Sequence, residues 1–480
     1  MTPSLPRAFA VPCALALAAA ILGWAPAALA AEVQFDGSQL GLIWIAPFVG
    51  LLLSIAILPL AAPTLWHHHQ GKIAAAWGLA FVLPFALLYG GAEAANAVLH
   101  TLLAEYLPFL ILLFALFTVA GGVHVRGNLH GAPALNTGLL AIGTGLASVT
   151  GTTGAAMLLI RPLIRANDGR RYNVHVVIFF IFLVANIGGS LTPLGDPPLF
   201  LGFLQGVGFF WTMTHMAAPL AIMAAILLAL FFVLDTWLYR REGTVPPLPD
   251  PTPDSQLGIG GKINILLLLG IVAAVLASGV FETGSTIVLL GIPVPTLGLA
   301  RDAALLGIAY ASWRWTPAEA REGNGFTWGP IAEVAKLFAG IFATIIPAIA
   351  ILRAGTEGAL SGVVRLVTAP DGSPVNAMYF WLTGLLSSFL DNAPTYLVFF
   401  NAAGGDAQVL MGPMAGTLLA ISAGAVFMGA VTYIGNAPNF MVKAIADEAG
   451  IRMPGFFGYM LWSVAILMPC FALLTWLFFL

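Results

Sequence analysis

Charged residues are scarce in this 480-residue chain. Asp, Glu, Lys and Arg make up 8% of it and hydrophobic residues 60%, against roughly 25% and 45–50% in soluble domains. This composition excludes a large aqueous domain. The 18 basic and 21 acidic residues leave a net charge of −3, which excludes the strongly basic surface that nucleic-acid binding requires. Membrane lipid is therefore the expected surrounding of most of the chain.

Cysteine is nearly absent as well. Cys13 and Cys470 each stand alone in an apolar run, so neither a disulfide framework nor a cysteine-rich metal site is available. The chain also lacks the GxSxG, HExxH and P-loop patterns of hydrolases, metalloproteases and ATP-driven proteins. We therefore expect neither enzymatic activity nor a resident cofactor.

Apolar sequence is what the chain has in abundance. A membrane-spanning helix needs about 20 mostly apolar residues, because in hydrocarbon its backbone must satisfy its own hydrogen bonds. The runs that meet this criterion are 41–60, 72–91, 106–122, 216–239, 262–280, 287–313, 330–352 and 455–480. Less regular apolar runs lie at 135–163, 173–210, 376–403 and 411–449. The sequence thus predicts an all-α polytopic membrane protein.

The first 30 residues have the layout of a secretory signal peptide. Arg7 precedes an apolar stretch at 11–24, and Ala28-Leu29-Ala30 resembles a cleavage site. An uncleaved first helix is the alternative. A secretory signal followed by many spans predicts a multi-pass protein of a bacterial-type inner (plasma) membrane.

The rest of the chain divides into two transmembrane halves. The first is predicted at 31–240 and the second at 262–480, joined by a proline-rich cytoplasmic linker at 241–261. Most Lys and Arg residues then fall on the cytoplasmic side, as the positive-inside rule requires.

An internal repeat relates the two halves. Segment 191–200 (LTPLGDPPLF) aligns with 431–440 (VTYIGNAPNF) at an offset of 240, which is 431 − 191. Segment 145–153 aligns with 384–392 at an offset of 239, which is 384 − 145. Two matched segments in the same order indicate a duplication of the kind found in transporters with inverted repeats.

The irregular apolar runs predict two special elements in each half. The positive-inside rule is satisfied only if 135–163 and 376–403 return to the side they entered, as re-entrant hairpins. Proline and glycine at 192–198 and 432–438 predict helices that unwind there. The expected architecture is therefore two inverted repeats with re-entrant hairpins and broken transmembrane helices.

Two acids lie deep in apolar sequence, Asp196 in the first broken helix and Asp391 in the second hairpin. Ionisable groups within a membrane are costly and mark ion pathways. Desolvation favours the neutral carboxyl group, which can exchange its proton for a cation that stabilises the charged form. We expect Na⁺ at Asp196, at Asp391 or at both, transported against H⁺. The alternative is that both acids merely cap helices.

Oxygen-bearing residues in the repeated segments are the other candidates for ion or substrate binding. Na⁺ is a hard cation, for which carbonyl and hydroxyl oxygens are suitable by extension from other hard cations. The candidates are Ser148, Thr150, Thr152, Thr153, Asn186, Thr192, Asn392, Thr432 and Asn436. Each could instead be a hydrogen-bonding contact between helices. His175 is a further ionisable residue, with proton access as its hypothetical role.

The segment around Asp196 resembles a known signature. Residues 186–198 (NIGGSLTPLGDPP) are similar to the NIGG-x-x-T-x-IGDPP motif of the ion transporter superfamily, and 390–394 resembles the matching hairpin of its antiporters. The superfamily includes NhaD-type sodium/proton antiporters, arsenite pumps and citrate or dicarboxylate carriers. The resemblance covers both halves. It implies cation binding between hairpin tips and broken helices, and commonly a homodimer.

The second hairpin tip favours one activity within that superfamily. Dicarboxylate/sodium symporters carry Ser-Asn-Thr at their tips, whereas here the tips read Ser148-Val149-Thr150 and Leu390-Asp391-Asn392. An acid at the second tip would repel an anionic substrate. The expected function is secondary active transport by Na⁺(Li⁺)/H⁺ antiport. The alternative is a cation-coupled carrier of citrate, another carboxylate or another anion.

Overall fold

The computed structural model describes residues 36–128, 130–243, 255–281 and 284–480. The predicted signal peptide at 1–30 and the prolines of the predicted linker, at 246–251, lie outside these residues. The described chain consists largely of helices, as predicted for an all-α membrane protein.

The first half contains long helices, a helical hairpin and an interrupted helix. Its helices are α1 Ala46–Ala61, α2 Pro63–Tyr89, α3 Gly91–Ala120, α4 Pro133–Thr150, α5 Thr152–Ala166, α6 Val174–Leu183, α7 Pro197–Leu204 and α8 Phe209–Glu242. We call α4 and α5 hairpin 1. Helices α6 and α7 are the two arms of the first broken helix, with a 3₁₀ turn at Ile187–Ser190 between them. Within α3, Leu102–Tyr106 form a π-helical turn.

The second half repeats this order. Its helices are α9 Ile263–Val280, α10 Thr296–Trp315, α11 Ala318–Gly323, α12 Gly329–Arg353, α13 Ser361–Leu366, α14 Asn376–Phe389, α15 Asn392–Ala402, α16 Ala407–Met411, α17 Ala415–Met428, α18 Ala437–Glu448 and α19 Phe456–Phe478. Helices α14 and α15 are hairpin 2. Helices α17 and α18 are the arms of the second broken helix, with a 3₁₀ turn at Gly429–Val431.

Two small antiparallel sheets complete the fold of the described residues. Strand β1 (His124–Asn128) pairs with β2 (Ser255–Gly260), so the end of the predicted linker is tied to the loop before hairpin 1. Strand β3 (Thr286–Leu289) pairs with β4 (Ile292–Pro295). Leu290 and Gly291 between them both have positive φ, as a tight hairpin turn requires.

Within the described residues, seven helices are long and apolar enough to cross a membrane: α1 extended back to Leu42, α2, α3, α8, α9, α12 and α19. The span predicted at 287–313 is wrong at its start, because β3 and β4 occupy 286–295 and α10 begins at Thr296. Helix α10 is also less apolar than these seven, since it carries Arg301, Asp302 and Arg314.

The repeats are inverted, as predicted. Helix α12 runs antiparallel to its counterpart α3, because Phe109 packs on Phe338 and the earlier Tyr106 packs on the later Phe342. Helix α2 runs parallel to α12, because Gly71 faces Lys336 and, further along both helices, Gly78 faces Ala343. Helix α2 is therefore antiparallel to α3, which follows it in the chain. Equivalent elements therefore point in opposite directions, which is the geometry of an in-plane pseudo-two-fold axis.

The two halves interlock through matched contacts. Helix α2 packs on α12 and α3 on α10; likewise α7 packs on α15 and α5 on α18. Each hairpin thus meets a broken-helix arm of the other half. Helix α6 lies at the centre, since residues 176–185 are at most 2% exposed. A helix that is apolar on every side belongs in such an interior position.

Identical hydrogen bonds hold each hairpin to the broken helix of its own half. Thr192 Oγ1 donates to the carbonyl oxygen of Ser148, and Thr432 Oγ1 donates to that of Ser388. The offset is therefore 240 at the hairpins as well, since 388 − 148 is 240. The alignment of Ser148 with Ser387 at 239 is wrong by one residue. The true counterpart of Thr152 is accordingly Asn392.

These paired bonds predict equal losses of stability in the two halves. In Thr192→Val the carbonyl of Ser148 and the amide of Leu194, which also bonds to Thr192 Oγ1, lose a buried partner, at about 1–3 kcal/mol for each group. Thr432→Val removes the same pair of bonds. Melting temperatures of the purified variants should fall by similar amounts.

The control for these variants is Thr137→Val in α4. The hydroxyl of Thr137 bonds to Pro133 O within its own helix, so its loss should change the melting temperature little. A large difference between the Thr192 and Thr432 variants would contradict the equivalence of the two half-sites.

Candidate ion-binding site

The N-termini of four helices converge on Asp196. Asp196 is the N-cap residue of α7, and Asn436 is the N-cap residue of α18. Thr152 and Asn392 are the first residues of α5 and α15, at the tips of the two hairpins. Helix N-termini carry partial positive charge and present unpaired N–H groups. The broken helices and hairpins therefore build a place where a buried carboxylate is stabilised.

Three neutral side chains donate hydrogen bonds to the Asp196 carboxylate. Thr152 Oγ1 and Asn436 Nδ2 lie 2.9 and 3.1 Å from Oδ1, and Asn392 Nδ2 lies 2.5 Å from Oδ2. Asp196 and Asn436 are 2% exposed, and Thr152 and Asn392 are 1% exposed. Asp196 takes part in none of the ion pairs found among the described residues. Its charge is thus balanced by dipoles and not by a basic side chain.

The two acids have different roles in the structure. The Asp391 side chain accepts from the amide of Ala393 at 3.0 Å and caps α15. The capping bond expected for Asp391 is therefore present, and its part in ion binding stays a prediction. Asp196 makes no such bond to its own helix, so for it the capping alternative is wrong. Asp391 directly precedes Asn392, whose amide donates to Asp196, so the second acid lies beside the same site.

A second group of amides supports the site from behind. Asn186 Oδ1 accepts from Asn436 Nδ2 at 3.3 Å, and Asn186 Nδ2 donates to Asn439 Oδ1 at 2.7 Å. Asn439 Nδ2 in turn donates to the carbonyls of Gly429 and Thr432 in the second break. This chain of amides connects the two broken helices across the pseudo-two-fold axis. It fixes the orientation of the Asn436 donor.

The other predicted residues hold the backbone or face elsewhere. Ser148 Oγ donates to Gly188 O, and Thr192 and Thr432 make the paired bonds described above. Thr150 Oγ1 bonds to backbone carbonyls of its own helix and tip, and Thr153 is partly buried on α5. The structure thus gathers Thr152, Asp196, Asn392 and Asn436 directly, with Asn186 behind them.

Sequence reasoning missed two positions that support the candidate site. Asn439 lies in the aligned segment 431–440 as a polar residue opposite the apolar Leu199, and that contrast was the available signal. Ser388, the counterpart of Ser148, was hidden because the hairpins were aligned one residue out of register.

One oxygen at the site has no partner among the described residues. Asn392 Oδ1 is buried and accepts no hydrogen bond. It belongs to the amide that donates to Asp196, so an amide oxygen and a carboxylate are side by side. This is a donor set suited to a hard monovalent cation. The described residues hold no group of three or more His, Cys, Asp or Glu side chains that could bind a transition metal.

The apolar spans, the inverted repeats and the polar centre between hairpin tips and broken helices define a multi-pass membrane protein of the secondary-transporter class. The chain belongs to the family described as putative citrate transport, whose model matches residues 37–479. No curated protein matches the chain. Membership of a transporter family is therefore shown over nearly the whole chain, and NhaD-type specificity stays a prediction.

Proposed function

We propose that the protein exchanges Na⁺ or Li⁺ for H⁺ across the membrane, with Asp196 as the coupling group. The observation that carries this proposal is the Asp196 carboxylate, which is buried among three neutral donors and has no basic partner among the described residues. Such a carboxylate must be neutralised when its surroundings close over it. A proton and a hard cation are two ways to do so.

Competition for one carboxylate is sufficient for antiport. When Asp196 is protonated it holds no cation, and when it is ionised it can bind Na⁺ together with the free Asn392 Oδ1. A carrier whose site crosses the membrane only when neutral then moves one species in each direction. Asp391, next to the site residue Asn392 in the chain, adds a second acid beside the site, which favours cations over anions.

Carboxylate transport coupled to a cation is the second candidate. Membership of a family described as putative citrate transport favours it. The convergence of four helix N-termini also suits an anion, provided that a cation or proton neutralises Asp196. In that case the substrate would be citrate or a related carboxylate carried together with the cation.

Proteoliposomes with an entrapped pH indicator distinguish the two candidates. Under an imposed pH gradient, we expect external NaCl or LiCl, without citrate, to drive proton movement, whereas KCl and choline chloride should not. Uptake of labelled citrate is measured in parallel, with and without Na⁺.

The outcomes of this assay are separable. If citrate uptake requires Na⁺, and Na⁺ drives no proton movement when citrate is absent, antiport is rejected and the second candidate is supported. Failure of both assays with correctly inserted protein would reject both candidate functions.

We further propose that the protein lies in the inner (plasma) membrane and that it forms a homodimer. Size measurement in lipid nanodiscs would test the homodimer.

A further inference from the structure

A charged cluster is buried at the base of hairpin 1, away from the Asp196 site. Its centre is Asp235 of α8, which is fully buried. Asp235 Oδ1 bonds to Arg170 Nη2 at 2.7 Å and to His175 Nε2 at 2.9 Å, and Asp235 Oδ2 accepts from Asn136 Nδ2 at 2.9 Å. His175, for which proton access is only a hypothesis from the sequence, is thus a partner of Asp235.

Further bonds extend this cluster over both ends of hairpin 1. Arg170 Nε donates to Glu242 Oε2 at 2.8 Å, and Glu242 Oε1 accepts from the amide of Tyr172 at 2.7 Å. The amides of Asn136 and Asn167 donate to each other, both at 2.9 Å. The start of α4, the end of α5 and the start of α6 are therefore all joined to α8.

The second half lacks these charges at the equivalent positions. At an offset of 240, the counterparts of Asn136, Asn167, Arg170, His175 and Asp235 are Asn376, Ala407, Leu410, Ala415 and Thr475. The links found there include no ion pair among the described residues. One charged group bonds to hairpin 2, since Arg353 Nε donates to Asn401 Oδ1 at 2.7 Å. Thr417 Oγ1 donates to Asn376 Oδ1 at 2.8 Å, and Trp381 Nε1 donates to Thr475 Oγ1 at 3.0 Å.

We propose that hairpin 1 stays fixed to α8 while hairpin 2 opens to admit and release the transported ion, and that Asp235 is the positioning residue for hairpin 1. This inference rests on transport through the site between the two tips. Moving hairpin 1 would separate buried ion pairs, which leaves uncompensated buried charges. Moving hairpin 2 separates no ion pair among the described residues, and its bond from Arg353 to Asn401 is only partly buried, so the cost is lower.

The site residues fit this division. Hairpin 1 supplies Thr152, whose bond to Asp196 would persist. Hairpin 2 supplies Asn392 and Asp391, so its opening would withdraw the donor from Asp196 Oδ2 and expose that oxygen. A fixed hairpin thus keeps the carboxylate oriented while the mobile hairpin gives access to it.

Matched spin labels near the two tips test the proposal. Val149 and Phe389 are equivalent positions, since 389 − 149 is 240, and each is 37% exposed. Val149→Cys and Phe389→Cys are made separately in the full chain, with Cys13 and Cys470 replaced by serine and alanine, and labelled in lipid nanodiscs. We expect the spectrum of the label at 389 to contain a mobile component that the label at 149 lacks.

Asp235→Asn is expected to shift the spectrum of the label at 149 towards that of the label at 389. Thr475→Val, at the equivalent position, should leave the label at 149 unchanged. A pair of His175 variants tests the same cluster in case the Asp235 variant does not fold. His175→Gln keeps a donor towards Asp235, so the label at 149 should stay rigid. His175→Ala removes that donor, so the label at 149 should become partly mobile.

Equal mobility at the two tips of the unmodified chain, or greater mobility at 149, would overturn the proposal. So would an Asp235→Asn variant that lowers the melting temperature but leaves the label at 149 rigid, because Asp235 would then be a purely local support. The spectra need no transported ion. They can therefore contradict the gating model whether or not the protein exchanges Na⁺ for H⁺.

Discussion

Asp196→Asn is expected to reduce Na⁺-dependent proton movement in proteoliposomes to the level of empty liposomes. An amide cannot release a proton at the pH of the assay, and it offers a cation no negative charge. The variant should still fold, because Asn392 can rotate its amide and present its unpartnered Oδ1 to the new NH₂ group. The assay with the entrapped pH indicator measures this loss directly.

Two other aspartates provide controls for this variant. Asp371→Asn lies in an exposed loop, where the side-chain hydrogen bond from Ser373 holds the pKa of Asp371 below its usual range, so the residue is ionised throughout the assay and its replacement should not matter. Asp391→Asn keeps the helix cap, since Asn caps as well as Asp, so a fall in its proton movement would report the lost charge. Activity of the Asp196 variant equal to that of the unmodified protein would refute the coupling role.

Gly195→Ala is expected to disrupt the first broken helix. A Cβ atom at this position would lie 2.0 Å from the carbonyl oxygen of Gly189, a backbone atom that cannot turn away. Overpacking typically costs 1–3 kcal/mol and occasionally more, and here the displaced backbone carries Asp196 itself. We expect a marked fall in melting temperature, measured by size-exclusion chromatography after heating, together with loss of transport.

The repeat supplies a matched comparison for this substitution. At Gly435, the equivalent position, a Cβ atom would lie 2.6 Å from the carbonyl oxygen of Gly429, so Gly435→Ala should destabilise the protein less but in the same way. Gly138 in α4 has no atom within 4 Å of an added Cβ. Gly138→Ala should therefore be neutral or stabilising by up to about 1 kcal/mol. Similar melting temperatures for the Gly195 and Gly138 variants would contradict the close approach of the Gly195 backbone to the Gly189 backbone in the first broken helix.

The interrupted elements could be predicted from sequence because glycine and proline act locally. The tight tip at Gly151, with φ at +77°, and the restart of a helix at Pro197 follow from the backbone freedom of one residue and the missing N–H of the other. Composition and positive-inside asymmetry were likewise sufficient for the class of protein and for the inversion of the repeats.

The distribution of roles between the two acids could not be predicted in this way. Asp196 and Asp391 look alike in sequence, and either could cap a helix. Whether an aspartate bonds to its own helix or across to Thr152 and Asn392 depends on how hairpins from opposite halves meet, which is a long-range packing outcome. The one-residue error in aligning the hairpins has the same origin, since the register is set by hydrogen bonds between Ser148 and Thr192 that no local pattern reveals.

The interlocking of the two halves means that neither half is complete by itself. A polypeptide with a single repeat would leave the faces of α2 and α3 that meet α12 and α10 uncovered, and its hairpin would lack an opposing broken-helix arm. Two copies inserted in opposite orientations would restore every one of these contacts. The present chain therefore has the contacts of an antiparallel pair of subunits joined in one polypeptide. Two identical subunits would place an acid at both positions 196 and 436, or at neither, so the combination of Asp196 with Asn436 requires two halves of different sequence in one chain.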